Sequence, residues 1–127
     1  SVECKYSAGT RNNEPHMIVN KHWFIKLEED VKALRAAFGI LVFHYHNVSH
    51  DYVFVPERVA HRFMDVKDIP TVEDTDKVAF QFTHVHMRER LLTEGAIRYI
   101  IRDKPYVLTT LQTFIQGLEE LRGQDTA

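Results

Sequence analysis

With Cys4 as its only cysteine the chain has no internal disulfide to rely on, so its stability has to come from a packed core. No charged-then-apolar leader opens the sequence, and the expected setting is therefore reducing and intracellular, in the cytoplasm. Long hydrophobic runs are absent as well. Ile40–Phe43 and Tyr99–Ile101 are each interrupted by His, Arg or Asp well short of the roughly 18 residues a membrane helix needs, which excludes a spanning protein of that kind. Five glycines and four prolines are scattered singly, so there is no flexible linker to divide the chain, and no internal repeat or low-complexity tract. Nor is there a basic excess: 16 Lys and Arg stand against 18 Asp and Glu. Nucleic-acid binding is not advertised by net charge, but the acid is unevenly spread. Asp65–Asp76 holds five carboxylates against Lys67 alone, which leaves a neutral or basic face available elsewhere.

What is present is a core's worth of apolar residues. Of 127 residues, 44% are hydrophobic and 11% aromatic, enough for one domain. Val2–Ser7 alternates as a short strand, and a polar loop through Gly9, Asn12, Asn13 and Pro15 follows. Met17–Val19 reads as a brief extended piece. Asn20 then caps a helix whose apolar positions Trp23, Leu27, Val31, Leu34 and Phe38 recur at helical spacing, with Gly39 as its stop. Ile40–His46 and Tyr52–Val55 read as two strands of a hairpin, and Pro56 opens a short helix through Phe63. The acidic segment is expected to be a solvated loop. Val78–His86 alternates as a strand, Arg88–Glu94 is helix-like, Ala96–Arg102 is extended and Asp103–Pro105 turns. Leu108, Leu111, Phe114, Ile115, Leu118 and Leu121 form the stripe of a final helix ending near Gly123, which packs on the sheet or serves as a dimer face. The sum is an α/β or α+β domain, a small mixed β-sheet flanked by helices.

Three groups of residues carry chemistry. Glu3 and Lys5 are opposite charges two apart on a strand, so they share a face and can converge on one point. A carboxylate suits a hard cation such as Mg²⁺, and a neighbouring ammonium can orient water or balance phosphate charge. His44-Tyr45-His46 and His84-Val85-His86 are two His-x-His pairs, able to make a four-nitrogen metal site only if their strands are neighbours. The plainer reading leaves His44 and His84 half-buried and hydrogen-bonded. Arg88, Arg90, Arg98 and Arg102 make either a basic strip or an ordinary mixed-charge surface, the latter being favoured.

Val2-Glu3-Cys4-Lys5-Tyr6-Ser7, the following polar loop, the helix opening Lys21-His22-Trp23-Phe24-Ile25-Lys26, and the strands Gly39–Phe43 and Tyr52–Pro56 together resemble the PD-(D/E)XK nuclease superfamily. The resemblance is greatest to archaeal and phage-type Holliday junction resolvases and related phage nucleases. It spans Ser1–Pro56 and implies a restriction-endonuclease-like core and Mg²⁺- or Mn²⁺-dependent hydrolysis of phosphodiesters in branched DNA, carried out by a homodimer. It makes Glu3 a metal ligand, Cys4 the donor of a main-chain carbonyl ligand and Lys5 the residue that positions the attacking water. Arg11, Lys21, His22 and Lys26 then lie where a phosphate backbone passes, helix N-termini being favourable to phosphate. The chain departs from the family in one respect. The family places an Asp on the preceding strand and often a Glu on an earlier helix, whereas this chain begins two residues before Glu3. The expectation is a single nuclease-like domain, 1–127, lacking its N-terminal helix and first strands. Otherwise another subunit, or a residue such as Glu14, completes the site. The competing reading is a non-catalytic nucleic-acid- or protein-binding module on the same fold.

Overall fold

The computed structural model describes the backbone of residues 2–7, 10–11, 14–45, 50–73 and 79–126, and the side chains of 19–45, 50–73, 87–93 and 95–123. In chain order the elements are β1 (Val2–Ser7), β2 (Thr10–Arg11), β3 (Glu14–Asn20), α1 (Lys21–Ala33), β4 (Ile40–Tyr45), β5 (Asp51–Pro56), α2 (Glu57–Ala60), β6 (Thr71–Val72), β7 (Ala79–Thr83), α3 (His84–Glu94), β8 (Ile97–Ile101), β9 (Lys104–Thr110) and α4 (Leu111–Thr126). Six strands form one mixed sheet in the order β1-β4-β5-β9-β8-β6, and β2, β3 and β7 form a second, smaller one. The larger sheet is parallel at its two ends, β1 with β4 and β6 with β8, and antiparallel through the middle. None of the described helices is long and apolar enough to cross a membrane.

Alternation along β4 and β5 sorts side chains to the two faces, and each face has its own cover. Leu41, Phe43, Tyr45, Tyr52, Phe54, Tyr99, Tyr106 and Leu108 pack with Phe24 of α1, Met87 and Leu91 of α3, and Val19 of β3. This face is largely aromatic: Phe54 sits edge-on to Phe24 at 5.2 Å and to Tyr99 at 5.5 Å between ring centroids, and Phe43 lies 5.5 Å from Phe54. The opposite face is aliphatic. There Ile40, Val53, Val55 and Val107 pack with Val59 and Ala60 of α2 and Phe114 of α4. The α1 helix is capped by Asn20, whose side chain accepts the His22 N–H at 2.8 Å. It ends earlier than its apolar spacing suggests. Arg35 takes the left-handed conformation (φ 55°) while the Ala36 N–H reaches back to Val31 O at 3.0 Å, a Schellman termination that leaves Leu34 exposed and sends Phe38 to the other face.

Four expectations are corrected. The Met17–Val19 piece is a seven-residue strand, β3. The acidic segment is not wholly a solvated loop, because Val66 and Ile69 pack on the aliphatic face and Thr71–Val72 pair with β8. The Val78–His86 alternation breaks at Thr83, and His84 and His86 open α3. Leu108 lies in β9, so the final stripe begins at Leu111; Phe114 is buried, and Leu111 and Leu118 pack against the aliphatic face. That stripe is therefore core, with only Ile115 left substantially exposed.

Candidate active site on an edge strand

The two charges singled out in the sequence lie on β1, the strand at one end of the larger sheet. Glu3 is in register with Leu41 and Lys5 with Phe43; Cys4, between them, is opposite Val42. A parallel pair needs a crossover, and the chain supplies it with β2, β3 and α1. Glu3 and Lys5 thus occupy alternate positions of a strand that is hydrogen-bonded to the buried strand β4, whose position is fixed by the core. The side chains of Glu3, Cys4 and Lys5 lie outside the described residues, as do those of Arg11 and Glu14. Arg11 is placed on β2, paired with Glu14 at the start of β3, and β3 comes close to both β1 and β4.

The remaining phosphate-contact candidates sit on α1. Lys21 is its first residue and half-buried; His22 and Lys26 are exposed one turn apart on the same ridge. The first turn carries no acid, so the positive end of the helix dipole is not cancelled there. Glu28, further along, is committed elsewhere. Its carboxylate accepts the Tyr106 hydroxyl at 2.7 Å and lies 3.4 Å from Lys104 Nζ. Burial alone pushes Glu28 upward, but the Tyr106 hydrogen bond and Lys104 outweigh it and hold the carboxyl below its ordinary value.

The two histidine pairs do not meet on neighbouring strands. His44 is on β4 in the larger sheet, whereas β7, the strand that runs into His84, is in the smaller one; His46 lies outside the described residues. His44 is half-buried and Nδ1 is 2.6 Å from Asp51 Oδ1, its cross-strand neighbour in the β4–β5 hairpin. Nor do the four arginines make a strip. Arg98 is withdrawn into a clamp, with Nε on Glu57 Oε1 at 2.7 Å and further bonds to Thr71 Oγ1 and Val66 O. Arg102 sits at the tip of the β8–β9 hairpin, and Arg88 and Arg90 are on α3. The pairing of Asp51 with His44 was readable only from the hairpin register, which the sequence leaves open by a residue or two.

No family model, curated protein or solved structure matches the chain. What the site can do must be argued from its residues. Among the described residues no three of His, Cys, Asp and Glu are grouped to hold a metal ion. Mg²⁺ asks for less than such a cage, since it keeps several waters and is commonly held by one or two carboxylates together with substrate phosphate. A hard carboxylate at Glu3, with the main-chain carbonyl of Cys4 next to it on the same strand, is chemically suited to that role.

Proposed function

We propose that this chain is a metal-dependent DNA endonuclease of the PD-(D/E)XK type, hydrolysing phosphodiester bonds, with branched DNA of the Holliday-junction kind as its substrate. The observation that carries the reading is the placement of Glu3-Cys4-Lys5 on a strand bonded in parallel to a buried strand across a helical crossover. That arrangement agrees with the strand, helix and strand order of the restriction-endonuclease-like core implied by the resemblance. Glu3 and the Cys4 carbonyl would hold Mg²⁺ or Mn²⁺. Bound there, the cation lowers the pKa of a coordinated water and neutralises charge on the scissile phosphate. Lys5 orients the attacking water and balances the negative charge that builds on the phosphate oxygens as the bond breaks. His22 and Lys26, with Lys21 and Arg11, give the phosphate backbone its positioning contacts and carry no sequence information.

Cleavage of labelled branched and linear duplex DNA in Mg²⁺ or Mn²⁺ tests the reading. Glu3→Gln and Lys5→Ala are each expected to lower the rate by about a hundredfold or more while DNA affinity holds. Lys26→Ala is expected to weaken binding to all sequences alike and to flatten its salt dependence. Absence of cleavage with either metal, together with DNA binding indifferent to Glu3→Gln and Lys5→Ala, would overturn the catalytic reading in favour of a non-catalytic binding module.

A further inference from the structure

A recess of about 230 Å³ lies between α1 and the tip of the β8–β9 hairpin. Its floor is apolar, made by Phe24 and Ile25 of α1, Ile101 of β8 and Tyr106 of β9. Phe24 and Tyr106 already form a tilted ring pair there, with centroids 4.8 Å apart. The rim is charged in both signs, with Glu28, Glu29 and Lys32 on the helix and Arg102 and Lys104 on the hairpin. The volume falls short of the roughly 300 Å³ at which pockets for drug-sized ligands begin, so an occupant has room for one ring or branched chain and its polar end. One pair on the rim says what that polar end is. Glu28 Oε1 accepts the Tyr106 hydroxyl at 2.7 Å, while Oε2 stands 3.4 Å from Lys104 Nζ, too far for a good N–H···O bond. Although burial opposes it, the Tyr106 bond and Lys104 keep Glu28 ionised at neutral pH. A carboxylate and an ammonium thus lie side by side above an apolar floor, each able to take further partners. Their counterpart, an ammonium and a carboxylate about 3 Å apart on one carbon, is the polar end of an α-amino acid.

We infer that this recess binds a free α-amino acid with a large apolar side chain. The ligand's ammonium lies on Glu28 with Glu29 beside it, its carboxylate on Lys104 with Lys32 and Arg102 beside it, and its side chain on the apolar floor. A simple anion would leave the two carboxylates unanswered, and a simple cation the three bases. The hairpin tip supports the assignment. Arg102 and Asp103 are consecutive left-handed residues (φ 52° and 64°) in a two-residue turn, where Asn-Gly is the unstrained choice. A turn that keeps Arg there gives up conformational ease and gains a guanidinium on the rim. The inference stands apart from the nuclease reading, because none of these residues is on β1 or among the phosphate contacts proposed for it.

Titration of the isotope-labelled chain with L-phenylalanine and with L-leucine, followed by backbone amide chemical shifts, tests it. Saturable binding of at least one of them is expected with a Kd of about 1 mM or tighter, and with the shifts concentrated in residues 24–32 and 101–106. N-acetyl-L-phenylalanine, which lacks the ammonium, and L-phenylalaninamide, which lacks the carboxylate, are each expected to bind about tenfold more weakly than L-phenylalanine. Lys104→Gln and Glu28→Gln are expected to cost about as much. Both variants should fold, because Lys104 is 56% exposed and Gln still offers the Tyr106 hydroxyl an acceptor. Arg102→Asn is expected to weaken binding while raising the melting temperature, since Asn enters the left-handed region more readily. Absence of saturable shifts with both amino acids, shifts centred elsewhere, or binding undiminished by loss of either charged group of the ligand overturns the inference.

Discussion

Tyr45, Tyr52, Tyr99 and Tyr106 are all buried on the aromatic face, and burial pushes each phenol above its ordinary value of 10.0. For Tyr106 the Glu28 carboxylate that accepts its hydroxyl adds to the effect. Below pH 10 both folded and unfolded chains keep these protons, and the tyrosines add no pH dependence. Above it the unfolded chain ionises first, binds fewer protons than the folded one, and stability falls as pH rises. Glu28 acts at the other end. Because its folded value is lowered, its contribution is present above about 4.5 and is lost as pH falls below that. Urea midpoints measured from pH 3 to 11 are thus expected to show a plateau with a decline on both sides. Tyrosinate absorbance is expected to appear at the alkaline end together with unfolding. Ionisation near pH 10 of more than one of the chain's five tyrosines while the fold persists would contradict the burial argument. The residue-scale bonds behind this behaviour were not legible in the sequence, since Glu28–Tyr106 and Arg98–Glu57 join positions 78 and 41 residues apart. His44 was the exception, half-buried and hydrogen-bonded as its place on a short strand led one to expect.

At the scale of elements, α4 carries a glycine where helix propensity asks for alanine. A Cβ at Gly117 would run into the Phe63 ring, which packs across the helix on the aliphatic face and lies 5.9 Å from the Phe114 ring. At Gly123 a Cβ would meet nothing within 4 Å. Gly123→Ala is expected to gain up to about 1 kcal/mol from propensity. Gly117→Ala is expected to lose about 1–2 kcal/mol, because a well-packed ring must move. Denaturant unfolding distinguishes the two, and equal stabilisation by both would show that Phe63 gives way freely. The α1 helix was legible because its cap and apolar period agree, and the β4–β5 hairpin because two apolar strands flank a polar turn. β9 was not. Tyr106-Val107-Leu108-Thr109 is buried on both faces and has no alternation to betray a strand, and Leu108 falls at helical spacing from Leu111. His84 and His86 misled for the reverse reason, since two histidines flanking a valine extend a β-like alternation into the first turn of α3.

Across the whole molecule, the sheet is two local hairpins, β4–β5 and β8–β9, joined by a seam between β5 and β9 whose partners are far apart in sequence, Val53 with Thr109 and Val55 with Val107. Local pairs close cheaply, and within this sheet the distant seam closes the longest loop. Val55→Ala and Val107→Ala are therefore expected to slow refolding, whereas Gly117→Ala chiefly speeds unfolding. Stopped-flow chevrons would show it, and seam variants that leave the folding limb unmoved would place the slow step elsewhere. The class of fold was readable from the succession of periods, but strand order was not, because order is decided by which buried faces match over these long separations. So, too, Glu3-x-Lys5 was visible as a pattern, while its attachment to β4 is a property of the folded sheet. β9 stands between β5 and β8 yet comes after both in chain order. A nascent polypeptide halted before Lys104 is consequently no smaller edition of this domain. Both β5 and β8 would keep an open edge for other chains to pair with, so the hazard of aggregation is greatest just before synthesis of the strand that removes it.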